Sequence, residues 1–170
     1  MERNNLITFK GSPLTLTGFE IKVGDTAPDF TATDNGLKPV KLSDFKGQAV
    51  IISVVPSLDT PVCEIQTKKF NQEASSLKAK MLTISMDLPF AQKRFCDAFK
   101  IGNVTILSDY KDRDFSNKYG LYIKELGLLT RAVIVIGANG KISHFEIVKE
   151  VTQEPNYQAA IEKVRSAVTV

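Results

Sequence analysis

The run AVIISVV, Ala49–Val55, restricts the fold more than any other stretch of the chain. Five of its seven residues are β-branched aliphatics, and no polar alternation interrupts them, so it reads as a strand buried on both faces. Such a strand belongs inside a sheet covered by helices on each side. Pro56 ends it, because proline cannot donate to a ladder. Four further apolar segments follow: MLTISM (Met81–Met86), VTILS (Val104–Ser108), AVIVIG (Ala132–Gly137) and ISHFEIV (Ile142–Val148). The last two meet across Asn139-Gly140, a strong hairpin signal. Upstream, ITFKGSPLTLTGF reads as two short strands joined at Gly11-Ser12-Pro13. APDFTAT and KPVKLSDFKG suggest a further short strand and a helical turn around Ser43–Phe45.

The gaps predict helices at about Pro61–Lys80, Pro89–Lys100, Arg113–Tyr119 and Asn156–Val168. No internal repeat, low-complexity tract or linker breaks the chain, so residues 1–170 are expected to form one domain. A β-α-β-α-β progression closing on a β-hairpin and a helix resembles a thioredoxin-like α/β core, here preceded by an N-terminal β-hairpin.

Lys and Arg number 22 against 19 Asp and Glu, a net charge of only +3, and the longest basic cluster is Lys68-Lys69. That excludes a nucleic-acid or membrane-surface footprint. The segment MERNNLITFKG lacks the apolar run of a secretion signal, and no stretch approaches a transmembrane span. The expected location is the cytoplasm, where thiols stay reduced. Two cysteines there do not make a disulfide scaffold. With His144 the only histidine, they do not make a four-ligand zinc site either. Cys63 and Cys96 are therefore inert or redox-active. His144 itself lies in an alternating strand and is expected to be structural or exposed.

At roughly 100° per residue, Cys63 shares one helix stripe with Phe70, Ala74 and Leu77, as a buried filler would. The turn before it suggests more. Asp59 or Thr60 suits an N-cap and Pro61 the first helical position. Cys63 then lies in the first turn, just past the carboxyl end of a central strand. Unpaired N–H groups and the helix dipole favour an anion there. In PFAQKRFCDAFK the predicted apolar face is Phe90, Ala91, Phe95, Ala98 and Phe99. Cys96 falls off that face beside Gln92, Lys93 and Lys100, a poor place for core filler.

The spacing P-x-x-x-T-x-x-C formed by Pro56, Thr60 and Cys63 resembles the active-site motif of peroxiredoxins. VGDTAPDF and LSDFKG resemble the segments preceding it there. Taken together, PSLDTPVC, DLPFAQKRFC and TRAVIVI are similar to the bacterial thiol peroxidase branch, an atypical 2-Cys group, over essentially the whole chain. The resemblance implies reduction of hydrogen peroxide and organic hydroperoxides in antioxidant defence. Cys63 would be the peroxidatic nucleophile and Cys96 the resolving cysteine closing a Cys63–Cys96 intrachain disulfide. Pro56, Thr60 and Arg131 would complete the pocket. It further implies no cofactor beyond the redox-active disulfide, thioredoxin as electron donor, and a homodimer.

Acidity is a weak lever for such chemistry. For thiols in general, lowering the pKa from ~8.5 to ~6 raises the thiolate fraction at pH 7 about 30-fold. The accompanying fall in nucleophilicity, at a Brønsted slope of ~0.45, costs about 13-fold. The rest of the rate must come from donors aimed at the peroxide oxygens. Thr60, the Cys63 amide and Arg131 are the expected donors, with Pro56 shielding the sulfur from water. Two other readings of the pair remain: a protein dithiol–disulfide oxidoreductase, disfavoured by T-x-x-C in place of C-x-x-C, and a non-catalytic redox sensor. Leu58, Val62 and Leu88–Phe90 are expected at a substrate collar or a subunit contact.

Overall fold

The computed structural model describes residues 1–168. The chain runs through β1 (Glu2–Phe9), β2 (Ser12–Thr17), β3 (Thr31–Thr33), β4 (Pro39–Lys41), a 3-10 turn (Leu42–Phe45) and β5 (Val50–Val54). It continues through α1 (Pro61–Ala74), β6 (Lys80–Ser85), α2 (Pro89–Phe99), β7 (Thr105–Ser108) and α3 (Asp114–Tyr119). The last part holds β8 (Tyr122–Ile123), β9 (Leu128–Leu129), β10 (Ala132–Ile136), β11 (Ile142–Ile147) and α4 (Tyr157–Val168). Among the described residues no helix is long and apolar enough to cross a membrane.

The central sheet has seven strands in the order β11-β10-β5-β6-β7-β3-β4. β5, β6 and β7 are parallel, and the remaining pairings are antiparallel. All five residues of β5 are buried, as a run of aliphatics broken only by Ser53 requires. Its side chains alternate between two cores. Val50, Ile52 and Val54 join Leu82, Ile84 and Ile134 beneath Phe30, Phe115 and Tyr119. Ile51 and Val55 join Met81, Ile106 and Val133 beneath Cys63 and Phe70 of α1, Phe95 of α2 and Ala160 of α4. Full burial of each aliphatic is worth roughly 1.5–3 kcal/mol, so this strand fixes both layers. A second sheet, β1-β2-β8-β9, is wholly antiparallel and contains the expected N-terminal hairpin.

Several local expectations are corrected. The first hairpin turns at Lys10 and Gly11, both at positive φ (48° and 81°), and Ser12 already pairs with Phe9. β8 and β9, of two residues each, are too short to leave a periodic signal. α1 stops at Ala74 instead of Lys80. Ser75 and Ser76 turn their hydroxyls onto the Gln72 and Glu73 carbonyls, competing with continuation of the helix. Leu77 is buried from the following turn, outside the helical stripe. α2 is rotated from its expected face: Pro89, Gln92 and Phe95 point inward, while Phe90 is 66% exposed and Ala91 and Ala98 face solvent. Gln92 is held inside by donating from Nε2 to Ser85 Oγ (3.0 Å) and to the Leu107 carbonyl (2.9 Å).

Candidate active site

The turn between β5 and α1 is tied to the end of β6. Asp87 accepts from Ser57 Oγ (2.8 Å), the Leu58 amide (2.8 Å) and Ser85 Oγ (2.6 Å). Pro56 is buried at the strand end and Leu58 is 3% exposed, so Leu58 is a core residue and not part of a collar. Thr60 occupies the N-cap position with extended backbone, and Pro61 is the first helical residue. The Thr60 side chain makes no cap bond. Its Oγ1 donates to the Ser57 carbonyl at 3.0 Å, which leaves the oxygen lone pairs as acceptors. The first helical bond runs from the Glu64 amide to Thr60 O, so the amides of Val62 and Cys63 have no acceptor within the helix.

Cys63 is wholly buried, and the partner that reaches it is Arg131. Arg131 is only 2% exposed. Nη2 donates to Cys63 Sγ at 3.3 Å, Nη1 to Gln66 Oε1 at 2.8 Å, and Nε to the Val151 carbonyl at 2.8 Å. Gln66 in turn donates from Nε2 to Ser53 Oγ at 2.7 Å, which accounts for the one polar residue of β5. Among the described residues no carboxylate forms an ion pair with Arg131. A buried cation requires a compensating charge. Of the three groups it touches, the Cys63 sulfur is the one able to carry it.

Cys96 lies near the end of α2, half-buried against the same apolar cluster that contains Cys63. It is thus less exposed than the helix wheel suggested. Asn35, in the β3–β4 loop, donates from Nδ2 to its sulfur at 3.6 Å. Burial pushes the Cys96 thiol up, partly offset by that donation. Both cysteines are free. His144 is partly buried on β11, and its Nε2 is 3.8 Å from Glu146 Oε2. Among the described residues no three metal-ligating side chains are grouped. A cleft of about 370 Å³ lined by Leu42, Phe45, Val50 and Ile136 opens at the far end of β5 and contains neither cysteine.

The structure brings Cys63 and Arg131 into contact, sets Thr60 and Pro56 in the turn beside them, and leaves Cys96 on another helix. Sequence reasoning missed Gln66, Ser53 and Val151. Gln66 left a trace: a polar residue one turn beyond Cys63, on the side of α1 that also carries Phe70. The Val151 carbonyl left none.

Residues 22–161 match the Redoxin family model. The thiol peroxidase of Bacillus subtilis (strain 168) is 52% identical over 163 residues, spanning 95% of this chain and 98% of that protein. That of Oceanobacillus iheyensis is 54% identical over 156 residues, spanning 91% and 95%. Among solved structures, a peroxiredoxin-like protein from Aquifex aeolicus superposes with a TM-score of 0.91 at 44% identity over 98% of each chain. A thiol peroxidase from Chromobacterium violaceum shares the fold at a TM-score of 0.85 and 22% identity over 94% of each chain. A buried cysteine under a buried guanidinium, on a thioredoxin-like sheet and with relatives of this kind along nearly its full length, places the chain in the redoxin family, among the thiol peroxidases of the peroxiredoxin group.

Proposed function

We propose that this thiol peroxidase reduces hydrogen peroxide and organic hydroperoxides through Cys63, with Cys96 resolving the product and thioredoxin restoring the dithiol. The Cys63 thiolate attacks the nearer peroxide oxygen. The O–O bond breaks, Cys63 becomes a sulfenic acid, and the departing alkoxide or hydroxide takes a proton to leave as alcohol or water. Arg131 donates to the sulfur and to the developing oxyanion, where a fixed donor acts without reorganisation. Thr60 Oγ1, its own proton engaged at Ser57, accepts from the peroxide hydroxyl, and the Cys63 amide donates to the attacked oxygen. Pro56 excludes water. The Cys96 thiol then displaces hydroxide from the sulfenic sulfur, giving the disulfide and one water. Thioredoxin dithiol reduces that disulfide by exchange, so no other cofactor is needed. The exposed Leu88 and Phe90 support a homodimer contact, and a chain with only two cysteines suits work in the reducing cytoplasm.

The observation that carries this reading is the buried Arg131 guanidinium set on Cys63 Sγ, with no carboxylate in an ion pair with it among the described residues. The test is NADPH consumption coupled through thioredoxin reductase and thioredoxin, with hydrogen peroxide and then bulkier hydroperoxides. Sustained turnover in wild type, its abolition in Cys63→Ser, and accumulation of sulfenic acid in Cys96→Ser are expected. A single stoichiometric oxidation without turnover would instead mark a sensor.

A further inference from the structure

The chemistry assigned to Cys63, Arg131 and Thr60 makes no use of the N-terminal hairpin, yet that hairpin is fastened beside the site. The Thr8 amide donates to Lys149 O at 2.7 Å and the Val151 amide to Thr8 O at 2.9 Å, bridging Thr8 to Glu150. Glu150 closes the junction. Its carboxylate accepts from Thr8 Oγ1 (2.7 Å) and from the turn amides of Lys10 (3.0 Å) and Gly11 (3.1 Å). It also accepts from the amide and hydroxyl of Thr152, at 3.2 and 2.8 Å. These donors hold the carboxyl far below its ordinary range, at about 2. Between Glu150 and Thr152, the Val151 side chain packs with Ile7, Leu14, Leu16 and Ile123 of the second sheet. Its carbonyl accepts from Arg131 Nε at 2.8 Å.

We infer that Glu150 is a positioning residue for the peroxide step: it clamps the hairpin turn to residues 150–152 and so fixes the Val151 carbonyl that aims the Arg131 guanidinium at Cys63. The geometry of a planar fork makes this effective. Two contacts, Nη1 on Gln66 and Nε on Val151, define the guanidinium plane and therefore where Nη2 falls. With the Val151 carbonyl released, the group pivots about Gln66 and the sulfur loses its donor. This inference rests on the role given to Arg131 under Proposed function.

A double-mutant cycle read by rapid mixing tests it, using the rate constant for oxidation of Cys63 by hydrogen peroxide. Glu150→Ala should lower that constant about tenfold in the wild-type background, a fraction of what a misplacement of ~1 Å costs. In the Arg131→Ala background the same change should cost less than about twofold, because the group it aims is gone. An equal loss in both backgrounds means a general structural effect and overturns the inference, as does no loss in the first. If Glu150→Ala fails to fold, Thr8→Val removes one of the carboxylate's donors. About a threefold loss is then expected only where Arg131 is present, and equal losses again overturn it. Should Arg131→Ala alone oxidise at the wild-type rate, the role of Arg131 falls and this inference with it. A slow Arg131→Ala with equal Glu150 losses sinks only the inference.

Discussion

Arg131 Nη2 lies 3.3 Å from Cys63 Sγ, between two residues that are 68 positions apart and almost wholly hidden from solvent. The sheet makes the contact. β10 pairs antiparallel with β5 so that Ala132 faces Val54. Arg131, just before β10, therefore arrives where β5 gives way to the turn that opens α1. A guanidinium here costs several kcal/mol of desolvation. That cost is offset by hydrogen bonds to Gln66, the Val151 carbonyl and the Cys63 sulfur.

Arg131→Met should slow oxidation of Cys63 by hydrogen peroxide about 100- to 1000-fold, the scale of losing a fixed oxyanion donor. Stability should fall by only about 1–3 kcal/mol. Two buried acceptors, Gln66 Oε1 and Val151 O, lose their donor, while an expensive buried charge is removed. Arg131→Lys keeps the charge without the fork and should recover part of the rate. Stopped-flow oxidation and urea titration measure both quantities, and a Met variant with near-normal rate would remove Arg131 from the mechanism.

Thr60→Val should cut turnover strongly while the fold stays intact, because the Thr60 side chain makes no cap bond to lose. The hydroxyl's one structural contact, to Ser57 O, is exposed and worth ~1 kcal/mol or less. Thr60→Ser keeps the oxygen and should retain most activity. Steady-state kinetics on the pair separate acceptor chemistry from methyl packing, and a normal Val variant would count against the assigned role.

The parts legible in the sequence were local. AVIISVV followed by a proline turn and a helix entrance specified β5, the turn and the first turn of α1, because strand burial and helix start signals act over a few residues. What escaped depends on bonds between distant segments. Gln92 was assigned to the wet side of α2, yet its amide satisfies Ser85 Oγ and the Leu107 carbonyl at the strand ends, which turns Phe90 outward. In the sequence Arg131 is only the residue before the AVIVIG segment. Only the pairing of β10 with β5 puts it next to Gln66 and Cys63, and no periodicity count contains a sheet register.

Closing the Cys63–Cys96 disulfide should require unwinding. Cys63 is in the first turn of α1, and the Cys96 carbonyl accepts from the Lys100 and Ile101 amides that cap α2. A crystal structure of the reduced protein should show Cα atoms more than ~7 Å apart, beyond disulfide reach. Burial pushes the Cys96 thiol up in the folded state and partly covers its sulfur. Alkylation of Cys96 in Cys63→Ser at pH 7 should therefore be at least about tenfold slower than in urea. Equal rates in both conditions would show that the sulfur is already free.

Acid should loosen the hairpin through Glu150. Its carboxyl titrates at about 2 in the fold, against an ordinary value of 4.5. The folded state therefore favours the ionised form. The stabilisation is complete above pH ~4.5 and is lost as pH falls toward ~2. At pH ~3.5 unfolding of the wild type takes up close to one proton at this site, since the released carboxyl is mostly protonated. Glu150→Gln removes that uptake. Asp109 is shifted the opposite way by burial, but it is present in both proteins and cancels in their difference. The dependence of the urea midpoint on pH between ~5 and ~2.5 should consequently be shallower in Glu150→Gln. Identical slopes would mean that the carboxylate does not hold the turn amides of Lys10 and Gly11 in solution.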